Sequence, residues 1–269
     1  MVHANHSLCA MVPGYNKDWK VPGMIPRQMR SQILLLGFLA LSLVAPAPVL
    51  AFAWQGDALI PQDPFLHDTS ISSSNSSDLN ADGKQEHIQI SGGQAAIISE
   101  GRRLWISPAD WDVKRAQVSD LNRDGRSELA LLIWRDFAPW PIDAYIPHPG
   151  RIEAFHNRRG RSCHLILIAW ERDAFREVWA GSALVDPLLD FTAIDMDGDG
   201  EQELAALEGR YDALPNAAHA VTLWEWNGFG FTLLARSQAG MFFQTYAAHG
   251  QNGQNVLLVL GHQRRYEYE

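Results

Sequence analysis

The apolar residues of this chain fall into short runs separated by polar turns, and the runs recur from residue 87 to residue 260. They occupy 87–90, 95–99, 103–107, 114–119, 129–134, 164–170, 175–180, 190–194, 204–207, 220–226 and 231–235. Ile, Leu, Val and aromatic residues fill them, and Gly, Asn, Asp and Ser stand between them, a pattern that predicts β-strands joined by tight turns. Two further runs, 242–247 and 256–260, flank Gln251-Asn252-Gly253 and predict a C-terminal hairpin.

Three of the turns are copies of one motif. They read Asp78-Leu-Asn80-Ala-Asp82-Gly83-Lys84-Gln-Glu86, Asp120-Leu-Asn122-Arg-Asp124-Gly125-Arg126-Ser-Glu128 and Asp195-Met-Asp197-Gly-Asp199-Gly200-Glu201-Gln-Glu203. Oxygen-bearing side chains stand at loop positions 1, 3 and 5, a glycine at 6 and a glutamate at 9. Alternate side chains on a tightly wound loop converge on one point. The backbone carbonyl at position 7, that of Lys84, Arg126 or Glu201, is placed to complete an oxygen cage. Hard oxygen ligands in this number select Ca2+. An EF-hand needs an acid at position 12 and flanking helices. Position 12 here is Gln89, Leu131 or Ala206, and strand-like runs follow each loop, so every loop is read as the turn of a β-hairpin.

The strands parse into four-stranded units, each beginning one strand before its loop. The first two loops start 42 residues apart, and the third starts 75 residues after the second because an insertion, 136–162, interrupts the second unit. Without it the repeat is in the forties, the length of a propeller blade. The expected fold is therefore all-β: a β-propeller-like array of four-stranded antiparallel blades, three units plus the C-terminal hairpin, forming a minimal four-bladed ring closed with help from the N-terminal segment, or an open arc. The domain itself is expected at 72–261, with a tail at 262–269.

Ahead of this array, Arg27 and Arg30 precede the apolar run 33–44, then Pro46, Pro48 and Val49-Leu50-Ala51, the order of an export signal. Residues 1–51 are read as a lead with a signal peptide, and 52–71 as a linker or N-terminal strand. The apolar run is short for a membrane span. The expected location is secreted, periplasmic or cell-surface, the alternative being an uncleaved N-terminal anchor. Removing the lead takes away four basic residues and one acidic one, so the net charge moves from −9 to about −12. Such a chain repels nucleic acid and anionic membranes and suits divalent cations. The mature chain keeps only Cys163 and therefore forms no internal disulfide.

The repeated motif resembles the FG-GAP and VCBS-type repeats, the calcium-bearing blades of integrin α-subunits, over roughly residues 72 to 261. The resemblance implies a propeller whose inter-strand loops are stiffened by Ca2+. It carries the ligand role to Asp78, Asn80, Asp82 and Glu86, to Asp120, Asn122, Asp124 and Glu128, and to Asp195, Asp197, Asp199 and Glu203. Glutamate stands at the ninth position, where the family usually has aspartate.

Other features carry less chemistry. Trp134, Trp170, Trp179 and Trp224 lie in or beside apolar strands and are read as packing between blades. Cys163 and His164 are adjacent on a strand and so face opposite sides, which does not suit a nucleophile and its base. The insertion mixes aromatic residues with Trp140, Tyr145, Arg151, Arg158, Arg159 and Arg161, read either as a lid or as a ligand site. The functional expectation is a non-catalytic binding or scaffold module for an extracellular protein or glycan, anionic partners included. A carbohydrate-active hydrolase or lyase acting in the propeller cleft is the alternative. Having four carboxylates and no basic residue of its own, the third loop is expected to hold a divalent cation most tightly.

Overall fold

A computed structural model describes residues 48–62, 70–72, 76–138, 155–212, 217–249 and 255–263. All its regular elements are β-strands, and none of the described residues forms a helix long and apolar enough to cross a membrane. The first strands are β1 (Val49–Gln55), β2 (Ala58–Gln62), β3 (Ser70–Ser72) and β4 (Ser76–Ser77). Next come β5 (Glu86–Ser91), β6 (Gln94–Ser99), β7 (Arg102–Ile106), β8 (Asp112–Ser119) and β9 (Glu128–Asp136). The second half holds β10 (Arg161–Glu171), β11 (Ala174–Ala180), β12 (Leu188–Ile194) and β13 (Glu203–Glu208). It closes with β14 (Ala220–Trp226), β15 (Phe231–Ser237), β16 (Gly240–His249) and β17 (Asn255–Gln263).

These strands form a propeller-like array of four-stranded antiparallel units. Strands β4 to β7 make the first unit, β8 to β11 the second and β12 to β15 the third. The expected C-terminal hairpin is β16–β17, and it is not alone. Strand β1 pairs with β17 through Val49↔Leu260, Leu50↔Val259, Ala51↔Leu258 and Phe52↔Leu257, and β2 continues the sheet. The N-terminal segment thus completes a fourth unit, ordered β16, β17, β1, β2, with β3 added beside β16. A short parallel pairing, Arg236↔Ala58 and Ser237↔Leu59, joins the third unit to the fourth. Residues 49–51, read as the end of an export signal, open β1, and cleavage after Ala51 would cut that strand behind its third residue. The apolar run 33–44 lies outside the described residues.

Burial on both faces holds the array together, because an apolar strand between two neighbouring sheets can hide every side chain it carries. On β9, Leu129, Leu131 and Ile133 face the first unit and pack with Ala95, Ile97 and Trp111. The alternate residues Ala130 and Leu132 face the third unit and meet Phe191, Leu204 and Ala206. Strand β13 repeats the scheme, with Ala205 and Leu207 turned toward Phe52, Phe242, Leu257 and Val259 of the fourth unit. Trp134 and Trp179 pack between the second and third units as expected, whereas the ring contact of Trp170 lies within its own unit. Trp170 meets Phe175 edge-on, Trp134 meets Tyr211, and Trp179 meets both Trp226 and Phe231.

Among the first strands of the units, a buried carboxylate ties three together. Asp190 on β12 pairs with Arg115 of β8 at 3.3 Å and accepts the Thr245 N–H of β16 at 2.9 Å. Beside it, the Gln117 side chain of β8 accepts the Ala193 N–H of β12. In the second unit Ser162 donates to His164 Nε2 at 2.7 Å, and His164 Nδ1 donates to the Gly181 carbonyl at 3.0 Å. That carbonyl can only accept, which fixes a proton on Nδ1, and burial lowers the imidazole's pKa to about 4, so near pH 7 it is neutral with Nε2 accepting. Cys163 lies on the opposite face against Leu188, its thiol pushed up to about 12 by burial.

Two outcomes follow from these buried groups. Asp190→Ala strands Arg115 and the Thr245 N–H, and is expected to cost about 3 kcal/mol, lowering the melting temperature by about 10 °C. A loss under 1 kcal/mol in chemical denaturation would show that Asp190 is not the tie. For His164 the folded pKa of about 4 lies below its ordinary 6.5. Its contribution is therefore full above about pH 6.5 and is lost as pH falls toward 4, on the order of 3 kcal/mol. Melting curves between pH 7 and 4.5 should fall more steeply for the wild type than for His164→Gln.

Candidate metal centres and the insertion cavity

All three loops close their hairpins in one register, through Ser77↔Glu86, Ser119↔Glu128 and Ile194↔Glu203. The first aspartate organises each loop. Asp78 accepts the N–H groups of Asp82 and Gly83, Asp120 those of Asp124 and Gly125, and Asp195 those of Gly198 and Gly200. Position 3 accepts the N–H of position 5, and position 5 that of position 7, in every copy. The glycine at position 6 is left-handed throughout, with φ of 84°, 82° and 92° at Gly83, Gly125 and Gly200. Position 4 is left-handed as well, at Ala81, Arg123 and Gly198.

The ninth-position glutamates open strands β5, β9 and β13, and all are at most 1% exposed. One oxygen of Glu86 accepts the Leu79 N–H and one of Glu203 accepts the Met196 N–H, each at 2.8 Å. Glu128 differs from both, because neither of its buried oxygens makes a well-formed hydrogen bond, although the side chain and backbone of Asn122 stabilise its charged form slightly. Burial, then Asp124 and Asp120, push its carboxyl up to about 8. Burial likewise raises Glu203 to about 7, against the pull of the Met196 N–H.

Asp120, Asp124 and Glu128 bring one oxygen each within 4.8 Å of one another, as do Asp195, Asp197 and Glu203. These two groups can hold a metal ion. Their hard oxygens, and the unpartnered pair on Glu128, fit a hard divalent cation. Asp78, Asp82 and Glu86 form no such group among the described residues. Asp199 lies outside the third group and caps the Glu201 N–H. Asn80 and Asn122 also donate their amide N–H to Asp82 and Asp124. Of the position 7 side chains, Lys84 pairs with Glu100 at 2.6 Å and Arg126 with Asp124 at 3.2 Å.

A residue that sequence reading passed over crosses between two loops. Arg123, at position 4 of the middle loop, places Nη2 2.6 Å from Glu203 and Nη1 2.9 Å and 2.7 Å from Glu201 and Glu225. In return the third loop's Gln202 side chain accepts the Asp120 N–H.

The insertion is shorter than its sequence suggests, since Asp136 pairs with Arg161 and Arg135 with Ser162 in the β9–β10 ladder. Trp140, Tyr145 and Arg151 lie outside the described residues. Arg161 is a brace, donating to the Trp134 carbonyl at 2.7 Å and to that of Asp110 at 3.3 Å. Arg158 and Arg159 are exposed. A cavity of about 660 Å3 lies at the starts of the inner strands, opposite the loops, lined by Asp112, Lys114, Trp134, Asn157, Arg159, Arg161, Leu188, Leu189 and Phe243. Arg158 lines a neighbouring cavity of about 430 Å3 with His156, Arg210 and Tyr211.

Comparison with known protein families and with curated proteins finds no match.

Glu128→Gln keeps the side chain's shape and removes its charge. In chelator the variant should be within about 1 kcal/mol of the wild type, because a carboxyl of raised pKa is largely protonated at pH 7. Any stabilisation that a divalent cation gives the wild type should shrink in the variant. An undiminished response in a thermal melt would show that Glu128 is not a ligand.

Proposed function

We propose that this chain is an exported, calcium-binding, non-catalytic module of the FG-GAP/VCBS kind, which presents a binding cavity at the end of the array remote from its metal loops. The observation that carries the metal is Glu128. Two buried, unpartnered carboxylate oxygens beside Asp120 and Asp124 are costly without a counter-charge, and a cation in that loop supplies one. Calcium is favoured because the donors are all oxygens and the loop is built on backbone turns that tolerate a large, flexibly coordinated ion.

The binding end draws its support from the charge lining the cavity. Lys114, Arg159 and Arg161 surround one acid, Asp112, which is already paired with Lys114 at 2.8 Å. Trp134 and Phe243 add apolar surface. Cationic side chains beside aromatic ones on an acidic protein suit an anionic group carried by an extracellular glycan or protein. With its single acid engaged, this wall favours binding over acid–base chemistry.

Calcium should raise the thermal stability. At about 1 mM calcium and a dissociation constant of about 10⁻⁴ M, each filled loop adds about 1.4 kcal/mol, or roughly 3–6 °C for a domain near 200 residues. Equal melting temperatures in calcium and in chelator would overturn the metal reading. Binding to a sulfated glycan should weaken in Arg159→Ala with Lys114→Ala, and its salt dependence should flatten. Unchanged binding would remove the ligand from this cavity.

A further inference from the structure

We infer that the Arg123 guanidinium is a built-in counter-ion for Glu203, one of the three clustered carboxylates of the third loop, which leaves the middle loop as the stronger divalent-cation site. This rests on the reading that the loops bind calcium. It reverses the ranking expected from loop composition, in which the third loop, with four carboxylates and no basic residue of its own, comes first.

The side chain of Arg123 is only 13% exposed, and its two terminal nitrogens engage Glu203, Glu201 and Glu225. Glu203 is then fully committed: Oε1 takes the guanidinium and Oε2 takes the Met196 N–H. A divalent cation entering this loop must displace Arg123 or sit beside its positive charge, and either lowers affinity. In the middle loop neither Glu128 oxygen makes a well-formed hydrogen bond or, among the described residues, an ion pair, and the loop's own Arg126 engages Asp124 at 3.2 Å without reaching Glu128. The same arginine therefore closes one site while its own loop keeps the other open.

Its backbone supports a dedicated role. Arg123 has a φ of 59°, a left-handed conformation that long side chains rarely adopt, where the third loop has Gly198 and the first has the short Ala81. Neither of those residues carries a cation. With the Gln202–Asp120 hydrogen bond, Arg123 straps the two loops together in both directions. A cation held between Asp120 and Asp124 fixes the segment that carries Arg123, so filling the middle loop and blocking the third are linked.

Calorimetric calcium titration of the full chain tests this with single and paired variants. In the wild type, Asp124→Asn should abolish the tightest binding phase, while Asp197→Asn leaves that phase in place. Arg123→Gly, which gives the middle loop the glycine the third loop has at the same position, should raise third-loop affinity about tenfold. Adding Asp197→Asn to that variant should cancel the gain. Arg123→Lys, which keeps the charge without the fork, should gain less, and it serves in place of the glycine variant if that one does not fold. If calcium binds but the Arg123 variants leave the third loop unchanged, or if Asp197→Asn alone removes the tightest phase, the counter-ion assignment is wrong and the calcium reading stands. If none of these proteins binds calcium, both readings fall.

Discussion

A glutamate buried at the foot of each inner hairpin turn is the constraint on which the rest depends. Glu86, Glu128 and Glu203 each begin the second strand of a hairpin, and for Glu128 and Glu203 the residues that follow belong to the core, so these buried carboxylates cannot reach water without unpairing the strand. A carboxylate in such a place needs hydrogen-bond donors, a proton or a cation. The chain answers differently in each copy. In the first, one oxygen takes a backbone N–H and the other, Glu86 Oε1, has no partner. In the third, a backbone N–H and Arg123 between them engage both oxygens. In the middle copy the carboxylate keeps two open oxygens. The loops share one backbone and differ in electrostatics, and that difference makes them functionally unequal.

What was legible in the sequence was whatever is local. The strand runs, the hairpin turns and the common loop register rest on spacings of a few residues, and Ser119↔Glu128 and Ile194↔Glu203 fall where the motif places them. The unit boundaries also follow, because each loop marks the turn after a unit's first strand. Pairing between distant segments left no such mark. Residues 49–51 are small and apolar, which suits the end of an export signal and a strand beside Leu258, Val259 and Leu260 equally well. Arg123 meets Glu203 and Glu225 across a long stretch of chain, and no spacing rule connects them. Arg161 read as part of a basic patch, yet the ladder makes it a brace for the Trp134 carbonyl.

Polarity along the inner strands follows from the same topology. Strands β8 and β12 each end in an acidic loop, so the carboxylates gather at one end of the array. The starts of those strands lie at the other end, where Lys114, Arg159 and Arg161 line the large cavity. An acidic chain with net charge −9 thus keeps a cationic hollow. Between the two ends stand Asp190 and Gln117, which hold the first strands of neighbouring units by hydrogen bonds and an ion pair in an otherwise apolar interior. Removing charge at one end leaves these ties intact, so the acidic loops and the cationic hollow can be altered independently by mutation.

The choice of glutamate at the ninth position has a geometric reason. The residue starts the second strand of its hairpin and must reach back beneath the loop to the N–H of position 2. Glu86 and Glu203 make that contact at 2.8 Å with one oxygen, which leaves each at most one oxygen for an ion. Aspartate is a methylene shorter and at the same backbone position cannot extend as far, so one of the two duties would lapse. In the middle loop Glu128 lacks the position 2 contact, and neither of its oxygens is held by a well-formed hydrogen bond or, among the described residues, by an ion pair. A bidentate carboxylate brings the ion's charge closer to a larger share of the ligand's own, which favours calcium over the smaller, octahedral magnesium. The side chain's length therefore lets the same residue act as a staple in the first and third loops and leaves it able to meet a cation in the middle one.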